Sequence, residues 1–557
     1  MRGRAIGGDH NVKRAIRRNK HALAATVRAS ALACAAAASP VLAMDLNPGG
    51  DWAIRWDNTV RYSVATRIQG QDAALLANPN GDDGDRNFKK GLISNRADLL
   101  SEFDAQRNGF GIRLSGAAWY DSVYNRTNDN DSAFTVNHGS VPYNEFTSGT
   151  RDIAGRHAEM LDYFVFGRWD LGSTTLSARL GQHSLIWGTS LFFGANGIAK
   201  GMEPVDVYKL SIPGTVAKET TIPVKQLSST WQVADSTSIE GYVQFQYKET
   251  RLHPAGSYLS NTDMLGDGRE RLFIGAPSAS KCGPPRTFVN CYVDYAGLDD
   301  SSKIHNYGFA LNQRVDALQS DVGLYAIRYS DNSPYISTNV PGGSFQLVVP
   351  SRPVTAVGAS LSTLVGDANL GIEASVRQHQ QLVAKQGVIS PGDPAYPLGR
   401  TAHLNISWTM LMPKAAFWDG SALVGEFAAN KVLSQEDVRT VIPGAVPAGT
   451  SKVDDTRAKQ SSGIRVIFTP SWYQVAPGWD MSMPINVGYS FRGISMIDQA
   501  FPFGGSPTKS GDANLGITGT YLSKYIVNLT YTNFFGKPAD NPIADRDYIR
   551  LSVQTTF

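Results

Sequence analysis

Few side chains in this sequence carry reactive chemistry, and their spacing is that of β-strands. His403 and Ser407 lie on one phase of a segment that reads Thr401, His403, Asn405, Ser407, Thr409. Its other phase is Ala402, Leu404, Ile406, Trp408, Met410. A histidine beside a serine could supply a base and a nucleophile. The polar phase of any two-faced strand holds such pairs by chance, so this spacing alone does not define a hydrolase. Cys282 and Cys291 bracket a Gly/Pro-rich stretch with no histidine close by. Two thiolates leave a zinc ion under-coordinated. In an oxidising compartment an even pair of neighbouring cysteines bonds, so a Cys282–Cys291 disulfide stapling a loop is expected. The glycine-rich stretches lack the lysine and spacing of a phosphate loop. No catalytic residue, metal or cofactor is expected.

The elements that carry these residues alternate with period two, the repeat of a strand with two different surroundings. The final segment reads Ile549, Leu551, Val553, Thr555, Phe557 on one phase and Tyr548, Arg550, Ser552, Gln554, Thr556 on the other. From Trp52 the apolar phase is Trp52, Ile54, Trp56, Val60, Tyr62, Val64, broken only by Asn58. Ala97, Leu99, Ser101 and Phe103 oppose Arg96, Asp98, Leu100, Glu102 and Asp104, and Asn108-Gly109 then makes a tight hairpin. The return strand sets Phe110, Ile112, Leu114, Ala118, Tyr120 against Arg113, Ser115, Trp119. Segments around 370–377, 485–492 and 525–531 repeat the pattern, with aromatic residues at strand ends. A chain ending on an aromatic residue in such a strand resembles outer-membrane barrels. That resemblance implies that Phe557 is read by the barrel-assembly machinery.

The N-terminal end reads as an export signal. Eight basic residues from Arg2 to Arg28 precede an apolar run at 29–38 and the small-residue site Ser39-Pro40-Val41-Leu42-Ala43. Cleavage is expected between Ala43 and Met44, giving a signal peptide of 1–43 and one barrel domain of 44–557. The whole chain holds 52 basic and 49 acidic residues. Removing the eight basic residues and Asp9 leaves 44 against 48, a net charge of −4, so nothing points to a nucleic-acid partner. No later apolar run is long enough for a membrane helix. A soluble sandwich would show the same alternation. The export signal, strands of about ten residues, aromatic strand ends and terminal Phe557 together favour a barrel among outer-membrane lipids. In lipid a sheet must close, and this length accommodates roughly 16–18 antiparallel strands. The all-β fold then makes Arg96, Asp98, Glu102, Asp104, Arg113, Glu373 and Arg377 a mutually neutralising lumen lining that sets the field across a pore. His183, Trp187, Asp206 and His403 join them as constriction candidates.

A family resemblance rests on motifs in order along the chain. They are Asn80-Gly81-Asp82-Asp83-Gly84-Asp85-Arg86-Asn87-Phe88, Gly155-Arg156-His157-Ala158-Glu159, Leu180-Gly181-Gln182 with Trp187-Gly188, Pro204 to Leu210, Pro213-Gly214, and Gly256-Ser257-Tyr258-Leu259-Ser260. These are similar to the Gram-negative family catalogued as domain of unknown function 1302. The resemblance implies an outer-membrane barrel handling hydrophobic or aromatic molecules or lipids. It also implies a periplasmic carrier and an inner-membrane exporter as neighbours. The family pattern has Arg-Gln after Leu-Gly and an acid after Trp-Gly, where this chain has Gln182-His183 and Thr189. That departure puts the family's pore preference in doubt for this chain. The segment 187–223 is the least strand-like long stretch, rich in Gly and Pro but also in Phe192, Phe193, Val205, Val207 and Leu210. It is expected to fold into the lumen or to lie over the rim. The competing function is an outer-membrane enzyme of hydrolase or acyltransferase type. Placement of His403 and Ser407 on the lumen face would favour transport.

Overall fold

Period-two segments pair edge to edge until the last strand meets the first. The computed structural model describes residues 44–45, 50–202, 204–212, 217–274, 291–300, 306–339, 342–384, 396–436, 438–440, 449–451, 453–498, 500–503 and 509–557. The leader, Ala43 and Cys282 lie outside the described residues. The architecture is a closed antiparallel barrel of 18 strands. Its first strand, β1 (Ala53–Arg67), pairs with β2 (Gly91–Arg107) on one side and with β18 (Tyr548–Thr556) on the other. Val60 faces Leu99 across one seam and Thr555 across the other. Phe557 extends this closure, donating its N–H to Asn58 O at 2.9 Å and accepting the Asn58 N–H at 2.7 Å. Met44–Asp45 adds a short pairing to Arg55–Trp56.

Burial separates the barrel from a soluble sandwich. In β18, Ile549, Leu551 and Val553 are 42%, 47% and 43% exposed, whereas Tyr548, Arg550 and Ser552 are buried. The large apolar side chains therefore point away from the protein and the charged ones point into it. A water-soluble fold has the opposite sign, and a barrel in lipid has this one. Leu99, Ile112, Leu114, Val165, Leu180, Leu324 and Leu529 repeat it around the wall.

Short turns gather at one end and long connections at the other. Asn108 and Gly109, with φ of 50° and 81°, join β2 to β3 (Phe110–Asp121) in the tight hairpin that the dipeptide predicts. The connection after β3 reaches β4 (Arg156–Leu171), and a turn at Gly172 leads to β5 (Thr174–His183). The wall continues through β6 (Val224–Ala234), β7 (Thr237–Gln244), β8 (Tyr307–Val315), β9 (Ser320–Tyr329), β10 (Val354–Val365), β11 (Ala368–Gln381), β12 (Leu398–Met412) and β13 (Gly420–Glu436). It then runs through β14 (Gln460–Ala476), β15, β16 (Gly511–Tyr521) and β17 (Tyr525–Phe535). Strand β15 is split into Trp479–Ser482 and Ile485–Arg492, because Pro484 lacks the N–H that the ladder needs.

At the long-connection end, Phe88, Val123, Tyr124, Phe146, Ile153 and Tyr258 form an apolar core with Tyr208 and Tyr548. This core makes a cap out of separate loops. A four-stranded sheet lies in the same connections, built from Arg271–Phe273, Tyr292–Asp299, Tyr335–Asn339 and Ser344–Val348. Sequence periodicity did not announce these strands. Cys291 is buried beside Phe273 and Tyr292.

Candidate functional site

The connection from β5 to β6 turns into the barrel, and the charged residues of the wall are what hold it there. Its first part, Ser184–Met202, crosses to the inner faces of β11–β13. Glu426 on β13 is fully buried and receives the N–H groups of Leu191 (2.9 Å), Phe192 and Phe193 (3.0 Å) on one oxygen. Its other oxygen accepts from Ser190 Oγ at 2.8 Å and Asn405 Nδ2 at 2.7 Å. Consecutive N–H groups converging on one carboxylate form a concave anion seat. Glu373 on β11 accepts the N–H groups of Thr189 (2.7 Å) and Ile198. Gly188, at φ +94°, and Gly197 lie so close to Glu373 that a Cβ on either would collide with its carboxylate. Arg377 donates to the carbonyls of Asn196 and Gly197, each at 2.8 Å, and to Ala195. The wall thus offers carboxylates to the segment's N–H groups and a guanidinium to its carbonyls.

Apolar contacts accompany these bonds. Trp187 packs on Tyr242 and Tyr325, its Nε1 donating to Glu240 at 2.9 Å, and Tyr242 donates to Gly201 O at 2.8 Å. Ile198 and Met202 join the same inner-wall cluster with Tyr329. Phe193 packs against Phe501 and Phe503.

The second part of the segment rests on the opposite wall. Asp206 caps the short helix Val207–Leu210, accepting the Lys209 N–H at 2.9 Å, and pairs with Arg251 at 2.7 Å. Glu159 on β4 pairs with both Lys209 (2.6 Å) and Arg251 (2.8 Å). Arg96 donates to Tyr208 Oη at 3.0 Å and lies over the Trp119 ring. Burial pushes the Tyr208 hydroxyl up to about 12, which keeps it neutral beside that guanidinium. His253, from the cap, meets Ser211 Oγ at 3.2 Å, and burial, with help from Arg546, pushes its imidazole down to about 4.

The residues singled out in the sequence fall into separate groups. Glu373, Arg377, His403 and Trp187 meet at the first crossing, and Asp206 and Arg96 at the second. Asp98 pairs with Arg96 at 2.7 Å and lies 3.6 Å from Arg61. Glu102, Asp104 and Arg113 form their own cluster, Arg113 reaching Glu102 at 2.7 Å, Asp104 at 2.8 Å and Asp162 at 3.5 Å. His183 bonds Ser228 at 2.8 Å in the wall. His403 and Ser407 both face inward, but they serve the crossing separately. The His403 nitrogens lie 3.0 Å from Asn196 Oδ1 and 2.8 Å from Thr401 Oγ1, while Ser407 donates to Thr189 O at 2.9 Å. Glu426, Asn196, Asn405, Arg61, Glu240 and Arg251 were not singled out beforehand. Glu426 sits on the polar phase of its strand, but nothing local distinguishes it from other wall acids. Thr189, where the family pattern has an acid, supplies an N–H to Glu373.

Fold and site together define a membrane-type β-barrel whose lumen is crossed by its own β5–β6 connection. The model of the family DUF1302, proteins of unknown function, matches residues 24–557. The chain belongs to that family. No curated protein matches it. Among solved structures it is similar to OccAB1 of Acinetobacter baumannii, at 10% identity and TM-score 0.43, over 90% of this chain and 96% of that one. It is also similar to OccK2 (OpdF) of Pseudomonas aeruginosa, at 11% identity and TM-score 0.39, over 90% and 97%. A BenF-like porin from Pseudomonas fluorescens Pf-5 gives 10% and 0.40, over 90% and 98%. Likeness at this level says nothing of what this chain carries.

Proposed function

We propose that the protein is an outer-membrane channel or transporter whose path is narrowed by the connection between β5 and β6. Its cargo on this reading is a hydrophobic or aromatic small molecule or a lipid. The observation that carries the reading is the double crossing: a segment bearing Trp187, Ile198 and Met202 is pinned across a polar barrel by Glu373, Glu426 and Arg377 on one side and by Glu159 on the other. A wall of mixed charge with aromatic groups at the constriction suits a cargo with an apolar body and a small polar end. The long-connection end faces the cell exterior in this reading, and the short-turn end meets a periplasmic carrier and an inner-membrane exporter. The enzyme alternative finds little support in His403 and Ser407, which bond to different groups and not to each other. The test is to replace 187–223 by a short turn and record single channels in planar bilayers, together with uptake of an apolar aromatic dye into proteoliposomes. Conductance and dye flux should both rise. Unchanged values in a correctly folded barrel would remove the segment from the path.

A further inference from the structure

The cap holds a cluster of acids that the lumen does not use. Asp82 and Asp83, at the start of the turn Asp83–Arg86, meet Asp263 from a connection far along the chain. One oxygen from each of the three lies within 4.8 Å of the others, and all three side chains are buried. Gly84 lets the two loops close, since a Cβ there would stand 2.7 Å from Ser257 O and nearer still to Ser260 O. Asp83 N–H donates to Asp263 at 3.2 Å, and Asn137 N–H donates to Asp83 at 2.9 Å.

Two further observations point to a ligand at this cluster. Asp263 Oδ1 and Asn137 Oδ1 are buried oxygens without a hydrogen-bond partner. Asn137, only 2% exposed, lines a cavity of about 10 Å³ together with Asp83, Asn87 and Asp263. Charge gives the second. The connected network buries five carboxylates, Asp82, Asp83, Asp85, Asp263 and Asp545, against the buried guanidinium groups of Arg67 and Arg546 and the part-buried one of Arg86. Among the described residues the excess is two negative charges, which one divalent cation would balance. Buried charges are normally paired or bound to metal.

We propose that Asp82, Asp83 and Asp263, with the amide oxygen of Asn137, form a calcium site that locks the loops of the cap together. The donors are all oxygen, the choice of a hard cation. Calcium accepts six to eight oxygens in irregular geometry, and carboxylates can bind it through both oxygens. Magnesium keeps several waters in a strict octahedron, and a cavity of this size has room for about one water. The site would join the loop carrying Asn80–Phe88 to those carrying Asn137 and Asp263, over the barrel end.

The experiment uses the full mature chain refolded into detergent, free of lipopolysaccharide and its own bound cations, and stripped with EDTA. Equilibrium dialysis with CaCl2 should find one calcium per chain, with affinity on the order of 10⁻⁴–10⁻³ M, the range of extracellular modules. Hydrogen exchange at 78–88, 130–138 and 260–265 should slow on calcium addition while the wall stays unchanged. Asp83→Asn and Asp263→Asn should each weaken binding at least about tenfold and remove the exchange response. If either variant fails to fold, the wild-type stoichiometry and local exchange still decide. No calcium uptake with exchange indifferent to calcium would overturn the proposal and leave shared protons as the means of neutralisation. An equal response to MgCl2 would overturn the choice of calcium, and unchanged binding in both variants would overturn the ligands.

Discussion

Glu426→Ala should release the first crossing while leaving the barrel intact. The buried carboxylate accepts three backbone N–H groups, one hydroxyl and one amide, of which the bonds from Phe193 and Asn405 are themselves buried. A hydrogen bond to a charged group is worth about 1.5–3 kcal/mol net. Alanine removes all five, but lumen water can reach the freed groups once the segment lifts, and the segment regains entropy. If the equivalent of two bonds is lost after these offsets, docking weakens by about 3–6 kcal/mol, a shift of roughly 10²–10⁴ in the docked-to-released ratio. Glu426→Gln is the sharper probe, because its amide keeps one acceptor oxygen but sets an NH2 donor where the other oxygen accepted. Refolded protein in planar bilayers should show higher and noisier single-channel conductance, and exchange at 187–202 should accelerate. Heat-modifiable gel mobility should match the wild type. Glu373→Gln should act in the same direction, and the double variant should depart from additivity because both acids hold one segment. Wild-type conductance together with wild-type exchange in Glu426→Ala would refute the argument that this carboxylate holds the crossing.

Other outcomes follow from the same structure. Leu99→Arg places a charge on the lipid face midway along β2 and should cost about 2–4 kcal/mol in folding from denaturant into bilayers, where Leu99→Ala costs less. Deleting Phe557 removes its pair of bonds to Asn58 at the closing seam and should cut the amount reaching the outer-membrane fraction far more than deleting a loop residue. Mass spectrometry of unreduced mature protein should recover a peptide cross-linked through Cys282 and Cys291, and two thiols alkylated without reductant would refute it. His253 is depressed to about 4 from an ordinary 6.5, so its contribution to docking is full above about 6.5 and is lost as pH falls toward 4. Its ring faces Ser211, Tyr208 and Arg546. Exchange at 204–212 should rise between pH 7 and 5 in the wild type and respond less in His253→Gln.

Much of the wall was legible from local order. Period two assigns Ile549, Leu551 and Val553 to one face and Tyr548, Arg550 and Ser552 to the other whatever the sheet becomes, because alternation is a property of each strand alone. Asn108-Gly109 likewise makes its hairpin from its own backbone preferences, and Pro484 breaks its own ladder. The apolar residues of 187–210 already argued against a solvated loop. Which face meets lipid was not local. It needed closure of β1 on β18, since only a closed wall has an inside. The anchors were out of reach for the same reason. Glu426 looks like any acid on a polar phase until the barrel brings it to Leu191–Phe193 from 233 positions away. Asp83 and Asp263, 180 positions apart, read as ordinary loop acids until the cap buries them together. Alternation, turn chemistry and strand length are set by neighbours in the chain. The crossing and the acid cluster are set by which distant loops a closed barrel forces to share one end.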